Sequence, residues 1–190
     1  MLLFKAKPAE DWIERVKENL GPVLIDHAHL EKKAAISALT LEKYPPLFDK
    51  ARELNAIAIE ELQHFERVLD LLERRGIAFG PSPNSPWISG LMKTVRKGRI
   101  QQVIDHLICA ALIEGRSCEK FQLLASGFAG LDEELATFYG SLVESEGNHY
   151  ACYLLMAREI DEEETNRRLD QLLDIDAELI KIPNPHPMLH

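Results

Sequence analysis

A repeated pattern of carboxylate and imidazole residues most constrains how this chain folds. The pattern is a Glu followed about one helix later by Glu-x-x-His, and the two glutamates are 30 residues apart in one copy and 32 in the other. Its members are Glu31, Glu61, His64 and then Glu114, Glu146, His149. Four-helix bundles with two metal ions use this ligand set, with one Glu from each of two helices and one Glu-x-x-His from each of the others. The repeat therefore predicts two helical hairpins that each supply half of a two-metal site.

The candidate ligands fall on the apolar faces of their predicted helices. Apolar residues recur at steps of three and four through each pattern, as in an amphipathic helix. Two of these series are Leu54, Ile57, Glu61, His64, Val68, Leu71 and Leu135, Tyr139, Leu142, Glu146, His149, Tyr153. The other two are Leu24, Ala28, Glu31, Ala35, Ala38 and Leu107, Ala110, Glu114, Ser117, Phe121.

Buried carboxylates on such faces need a partner, because an unpaired buried charge costs several kcal/mol. Two divalent cations balance four glutamates, and the two neutral histidines add no charge. Carboxylate and imidazole ligands without thiolate suit iron or manganese. We therefore predict a metal site. In the alternative, these residues are salt-bridged or partly exposed helix residues, and a metal-free helical interaction protein is expected only if the carboxylates are exposed.

Proline and glycine positions predict where the helices begin and end. A short helix is expected between Pro8 and Gly21, and a short segment between 87 and 95. The long helices are expected from Pro22 to before Pro45, from Leu47 to Arg75, from Ile100 to Ala125, from Asp132 to Arg158 and from Asp161 to Pro183, with residues 184–190 as a strap or a loose end. Gly127 and Gly130 are expected to break the third of these helices. The Asp161 side chain is expected to cap the last one, with Glu164 reaching back to the cap. The long connection from Gly76 to Arg99 predicts a crossover. The predicted fold class is an all-α, ferritin-like four-helix bundle with flanking helices.

Length and composition indicate one domain that spans residues 1–190, because 190 residues with 46 % hydrophobic content are ordinary for one globular domain. Neither a signal peptide nor a membrane span is apparent, so a cytoplasmic protein is expected. The three cysteines, Cys109, Cys118 and Cys152, are isolated in predicted helices, which predicts reduced core thiols.

Four segments around the candidate ligands resemble those of the MiaE-type tRNA hydroxylases. They are the residues 28–35 (AHLEKKAA), 60–65 (EELQHF), 112–119 (LIEGRSCE) and 145–150 (SEGNHY), and the RSCE piece is more specific than the ligand spacing. The resemblance covers nearly the whole chain. It implies a non-haem di-iron monooxygenase that uses O₂ to hydroxylate the isopentenyl group of 2-methylthio-N6-isopentenyladenosine beside the tRNA anticodon. The resemblance also implies that the six residues of the repeat are the metal ligands and that they act in catalysis through the bound irons.

Such a hydroxylation places one oxygen atom in the substrate and the other in water, so two electrons must come from outside. No flavin or iron–sulfur motif is visible, which predicts a separate reductase. Two alternatives use similar ligands. One is a ferritin-like or bacterioferritin-like ferroxidase, and the other is a rubrerythrin-like peroxidase, against which the missing Cys-x-x-Cys module counts.

Substrate contacts are harder to predict, because a net charge of −9 argues against a general nucleic-acid surface. Four basic residues nevertheless cluster without an intervening acid, namely Lys93, Arg96, Lys97 and Arg99. They are candidates for contact with phosphates of the anticodon stem-loop, with a solvated turn as the alternative. DNA and membranes are not expected partners.

Single residues near the ligands are open to more than one interpretation. Arg116 is a candidate substrate contact. In the alternative interpretation, it pairs with Glu119 or Glu60 instead. His27, His29 and His106 are interpreted as helix histidines that pack, cap or face water rather than support the ligands.

Overall fold

The structure is a computed structural model that describes residues 4–184 and 188–190. Within this part of the chain all regular elements are helical and no strand occurs. The α-helices are α1 (Trp12–Glu18), α2 (Leu20–Leu41), α3 (Ala51–Arg74), α4 (Pro86–Met92), α5 (Arg99–Phe128), α6 (Glu133–Gly140), α7 (Val143–Ile160) and α8 (Glu162–Leu179), and a 3-10 helix spans Pro45–Lys50.

The described residues divide into two compact units. One comprises residues 15–86, 184, 188 and 189 and contains α2 and α3. The other comprises residues 4–14, 87–183 and 190 and contains α4 to α8. We call them the α2/α3 unit and the α5/α7 unit. The single domain over residues 1–190 stays a prediction.

Helices α2 and α3 pack as a hairpin through the stripes that the apolar spacing predicts. The predicted stripe residues of both helices are buried, including Leu24 on α2 and Leu54 on α3. Helix α2 begins at Leu20 rather than at Pro22, because proline is tolerated in a first turn whose N–H groups have no helical partner. Residues 45–50 form the 3-10 helix, so α3 begins four residues after the predicted Leu47.

Helix α5 is the longest element and is buried along most of its length. The prediction that Gly127 stops it was wrong. Gly127 lies inside the helix and is in contact with Ile13, since an added Cβ would be 2.5 Å from Ile13 Cγ1. The chain turns at Gly130, where a φ of 77° favours glycine over residues with a side chain. The helix thus continues to Phe128, three residues beyond the predicted end.

The predicted helix from Asp132 to Arg158 is two helices, α6 and α7, which is a correction. The interruption lies at Ser141 and Leu142, directly after Gly140. Ser141 donates its hydroxyl to the carbonyl of Phe138 over 2.6 Å, a local bond that competes with regular helical hydrogen bonding. The apolar stripe continues across the interruption, because both Tyr139 and Leu142 are fully buried.

Helix α8 begins as the sequence predicts and ends early. The Asp161 side chain caps it by accepting the Glu164 N–H over 2.9 Å. The Glu164 carboxylate, predicted to reach back to this cap, instead accepts from Arg96 and Arg167. The helix ends at Leu179, before Pro183. Part of the predicted strap, residues 185–187, lies outside the described residues, whereas 188–190 are buried.

The cysteines are free thiols, and Cys109 and Cys118 on α5 are buried whereas Cys152 is half-buried. Burial raises the pKa of Cys109 to about 12. Burial also raises the pKa of Cys118. Across the described residues, no helix combines the length and the apolar character needed to cross a membrane.

Candidate metal centre

The α2/α3 unit brings together the first predicted triplet, Glu31, Glu61 and His64. Glu61 and His64 are three residues apart on α3, so their side chains leave the same face of the helix. His64 Nδ1 lies 3.7 Å from Glu31 Oε2 and 3.7 Å from Glu61 Oε2. All three side chains are buried. Ligand atoms of zinc and similar ions lie about 2.1 Å from the metal and hence at most about 4.2 Å apart, so these distances suit a shared ion.

A fourth residue, His27, contacts this triplet one helical turn before Glu31. Its Nε2 is within hydrogen-bonding contact of Glu31 Oε1, and the imidazole is fully buried. Burial alone would raise the pKa of Glu31. The electrostatic interaction with His27, its hydrogen bond to Glu31 and the nearby Glu61 and His64 outweigh burial and hold that pKa well below its ordinary value. Glu31 is therefore an anion, and His27 Nε2–H donates to it.

The α5/α7 unit brings together the second triplet, Glu114, Glu146 and His149. Glu146 and His149 repeat the three-residue spacing on α7, and Glu114 comes from α5. One ligand atom from each residue lies within 4.8 Å of those of the other two, and all three residues are buried. Gly147 is in contact with α5, since a Cβ added there would be 3.8 Å from Cys118 Sγ. The small residues Gly147 on α7 and Cys118 on α5 therefore lie side by side where the two helices pack.

The donor chemistry of each triplet fits a divalent first-row metal ion. Each offers two carboxylates and one imidazole, and neither includes a thiolate. Oxygen and nitrogen donors of this kind suit iron or manganese. Two carboxylates balance the charge of one divalent ion, which removes the cost of burying them. The ligand role of all six residues stays a prediction, because their proximity alone does not show an ion.

The turn of α5 that follows Glu114 is held by other parts of the α5/α7 unit. A Cβ added at Gly115 would lie 2.9 Å from both the Phe4 and the Tyr150 ring. Ser117 Oγ is 3.0 Å from His190 Nε2. His190 in turn stacks on Trp87, with ring centroids 5.3 Å apart. Segments from both ends of the described chain therefore contact the residues next to a predicted ligand.

Arg116 has structural partners inside the α5/α7 unit. Its side chain is fully buried in an ion pair with Asp176, which also accepts the Trp87 indole N–H over 3.0 Å. Arg116 Nη1 donates to Glu119, as the alternative interpretation of the sequence proposed. The guanidinium carbon lies 3.8 Å from the Phe4 ring centroid. The prediction that Arg116 contacts substrate stays untested, and these contacts favour a structural role.

The predicted basic cluster contains two kinds of residue. Lys93, Lys97 and Arg99 are exposed in or beside the connection between α4 and α5. Arg96 instead pairs with Asp105 over 2.7 Å and with Glu164 over 2.6 Å. Asp105 is buried and also accepts from Arg168. Three of the four cations are therefore available to a ligand, and Arg96 links the connection to α5 and α8.

His27 is packed in the interior, as one interpretation of the sequence had it, but it also contacts the predicted ligand Glu31, which that interpretation did not include. The i, i+4 spacing from His27 to Glu31 was the signal that could have identified it as a ligand partner. His29 does pack, since its Nε2 contacts the Gly80 carbonyl at 2.8 Å and its ring stacks on Phe79. Asp176, the buried partner of Arg116, had no sequence signal apart from its place in a helix rich in acidic residues.

Comparison with known proteins identifies the family. The family model described as tRNA-(MS[2]IO[6]A)-hydroxylase (MiaE) matches residues 2–190. The chain belongs to the MiaE family. A relative from Pseudomonas putida strain KT2440, named tRNA 2-(methylsulfanyl)-N(6)-isopentenyladenosine(37) hydroxylase, is 38 % identical over 98 % of this chain and 91 % of its own length.

A second relative of the same name, from Salmonella typhimurium strain LT2, is 40 % identical over 131 residues. That match covers 69 % of this chain and about half, 47 %, of the Salmonella protein. Among solved structures, a Synechococcus protein described as having aldehyde deformylating oxygenase activity is similar with a TM-score of 0.89. It is 31 % identical, and the match covers 98 % of this chain and 94 % of the other. The all-α, ferritin-like fold class is confirmed.

Proposed function

We propose that this MiaE-family protein hydroxylates the isopentenyl group of 2-methylthio-N6-isopentenyladenosine in tRNA. The observation that carries the proposal is the match of the family model to residues 2–190. The relatives' names state the same reaction class at 38 % and 40 % identity. This match favours a hydroxylase over the ferroxidase and peroxidase alternatives. The activity on tRNA suits a cytoplasmic protein.

Each buried triplet is proposed to bind one of two iron ions. In the α2/α3 unit Glu61 and His64 bind from one helix face, and Glu31 binds from the facing helix. In the α5/α7 unit Glu146 and His149 bind from α7 and Glu114 from α5. When bound, the irons supply the O₂ activation that inserts one oxygen atom into an unactivated C–H bond, which side chains alone do not achieve.

The protein's own residues hold and shield these ions. The six ligands are buried, so the surrounding helices restrict contact between bulk water and the donor atoms. Glu31 remains ionised for metal binding, because its pKa is held well below its ordinary value. Because the reaction reduces the second oxygen atom to water, we propose that an external electron donor supplies two electrons. The exposed Lys93, Lys97 and Arg99 are the proposed contacts with tRNA phosphates.

The decisive experiment supplies isotopically labelled O₂ to the iron-loaded protein. The substrate is tRNA from cells that lack this gene but make the isopentenyl modification, with a chemical reductant as the electron source. One labelled oxygen atom should appear in the modified nucleoside. Glu114→Ala protein is the matched control and should transfer none. Absence of the label from the nucleoside, with iron bound and electrons supplied, would overturn the proposed function.

Aldehyde deformylation is a second candidate, which the Synechococcus structure favours through its TM-score of 0.89. The same iron-loaded protein should therefore be assayed with an aldehyde in place of tRNA. We expect no deformylation, because the family description covers the whole chain and names a tRNA hydroxylase. Deformylation without tRNA hydroxylation would assign the activity of the structural neighbour instead.

A further inference from the structure

His27 distinguishes the environments of the two metal triplets. It lies on α2 one turn before Glu31, is fully buried, and hydrogen-bonds to Glu31 Oε1. The other oxygen, Oε2, is the one that lies 3.7 Å from His64 Nδ1. The carboxylate is thus held with one oxygen on His27 and the other directed toward the remaining ligands of its triplet.

The second triplet has no matching imidazole at that position. Four residues before Glu114 on α5 is Ala110, which is buried and whose methyl side chain cannot donate a hydrogen bond. The two units therefore share the ligand pattern, but they differ at the position four residues before the first glutamate, which is His27 in one unit and Ala110 in the other. The difference bears on metal binding, because a hydrogen bond to a ligating carboxylate fixes its orientation and tunes its donor strength.

The backbone that carries His27 is held on both sides within the α2/α3 unit. The preceding residue, Asp26, is buried and accepts the Ser82 hydroxyl over 2.9 Å and the Leu189 N–H over 2.9 Å. His29 contacts the carbonyl of Gly80. These contacts restrict the turn of α2 from which the imidazole extends, so His27 reaches Glu31 from a supported position.

We propose that His27 is a positioning residue that holds Glu31 for metal binding and makes the iron site of the α2/α3 unit different from that of the α5/α7 unit. The proposal rests on the proposed iron centre. His27 acts through Glu31 and is not itself proposed as a ligand. With Oε1 bonded to His27, Oε2 is the Glu31 oxygen that would face a bound ion, whereas Ala110 offers Glu114 no such bond.

The test compares His27→Ala, His27→Gln and His29→Ala with the unaltered protein. The Gln amide can donate to Glu31 from the same i, i+4 position. His29→Ala is the matched control, because it removes a helix histidine of α2 that bonds a loop carbonyl rather than a ligand. Each protein is checked for helix content and then titrated with Fe(II) without O₂, and the ⁵⁷Fe-loaded forms are examined by Mössbauer spectroscopy.

The unaltered protein should bind two irons per chain and give two distinct Mössbauer signals. His27→Ala should weaken one of the two binding steps by roughly 10- to 100-fold, the range typical of lost ligand partners, and change one signal only. His27→Gln should restore most of both. His29→Ala should keep both steps and both signals.

Two results would overturn the proposal while leaving the proposed function intact. One is two unchanged binding steps in His27→Ala, and the other is a loss in His29→Ala as large as in His27→Ala. Failure of the proposed function has a different signature. Two irons with the His27-dependent difference, but no labelled oxygen in tRNA, would retain the positioning role and reject the hydroxylase.

Discussion

The two units repeat the metal ligands but support them in different ways. In the α2/α3 unit the contacts lie before the first glutamate, where Asp26, His27 and His29 each bond to another group. In the α5/α7 unit the contacts follow the first glutamate, at residues 115–117. The comparison shows that the ligand pattern can be repeated while the contacts that hold it come from segments without a counterpart.

The units also differ in charge. Residues 15–86 contain 10 basic and 11 acidic side chains, whereas residues 87–183 contain 10 basic and 17 acidic ones. The net charge of −9 therefore belongs mostly to the second stretch, in which α8 is especially acidic. The proposed phosphate contacts lie in this more acidic stretch. Its negative charge does not favour tRNA binding in general, so a loss of binding on their removal points to these three side chains themselves.

The largest expected effect is the loss of a ligand from either unit. Glu31→Ala and Glu114→Ala should each abolish tRNA hydroxylation, beyond the roughly 10- to 100-fold loss typical of residues that only support ligands. His149→Ala should behave in the same way. Helix content, measured by circular dichroism, should be retained. Activity that survives in one glutamate variant but not in the other would show that only one triplet serves the reaction.

The next effect concerns Arg116 and Asp176, a buried ion pair of the α5/α7 unit. Asp176→Ala leaves the Arg116 charge buried without its main partner, and should destabilise the protein by about 3–5 kcal/mol. Denaturant unfolding measures this change. Lys181→Ala is the control, because its pair with Glu178 is exposed and should contribute less than about 1 kcal/mol. Equal losses in the two variants would contradict the structural role of Arg116.

A smaller effect should appear in acid. Burial would raise the pKa of Asp105, but hydrogen bonds from Arg96 and Arg168 lower it below its ordinary 3.8. A lowered native pKa adds stability above pH 3.8, and this stability is lost as the pH falls through the native value. The free energy of unfolding of the unaltered protein should therefore exceed that of Asp105→Asn at neutral pH, and the gap should narrow below pH 3.8. A gap that widens in acid would reverse the sign of the inferred shift.

The smallest effect is on tRNA affinity. Changing Lys93, Lys97 and Arg99 to Ala should reduce the log–log salt slope of tRNA binding by roughly 0.7 to 0.9 for each lost phosphate contact. Iron binding should not change. Lys32→Ala with Lys33→Ala is the matched control, since both lysines are exposed in the less acidic unit. A larger slope change in the control would move the proposed tRNA surface to the α2/α3 unit.

Sequence patterning predicted the buried stripes because helix periodicity directly encodes which face is covered. The stripe through Leu135, Tyr139 and Leu142 was correct even where the helix is interrupted. The interruption itself was missed, because the bond from the Ser141 hydroxyl to the Phe138 carbonyl that accompanies it leaves no mark in the spacing of apolar residues. Gly127 was misread for a related reason, since its contact with Ile13 comes from a distant part of the chain.

The proximity within each triplet was also predictable, because helix spacing determines which ligands share a face. The roles of Arg96 and Arg116 were not. Their partners Asp105, Glu164 and Asp176 lie 9 to 68 residues away, and no local pattern pairs them. The role of His27 was predictable in part. Its distance from Glu31 was visible in the sequence, but the direction of its ring required the structure.

Burial of the α5 cysteines limits one form of self-damage in a protein proposed to consume O₂. Peroxide attacks thiolates rather than thiols. With a pKa of about 12, Cys109 stays protonated at neutral pH, and burial shifts the pKa of Cys118 in the same direction. Oxidant that escapes from unproductive turnover should therefore modify the half-buried Cys152 before the two buried thiols on the helix that carries Glu114.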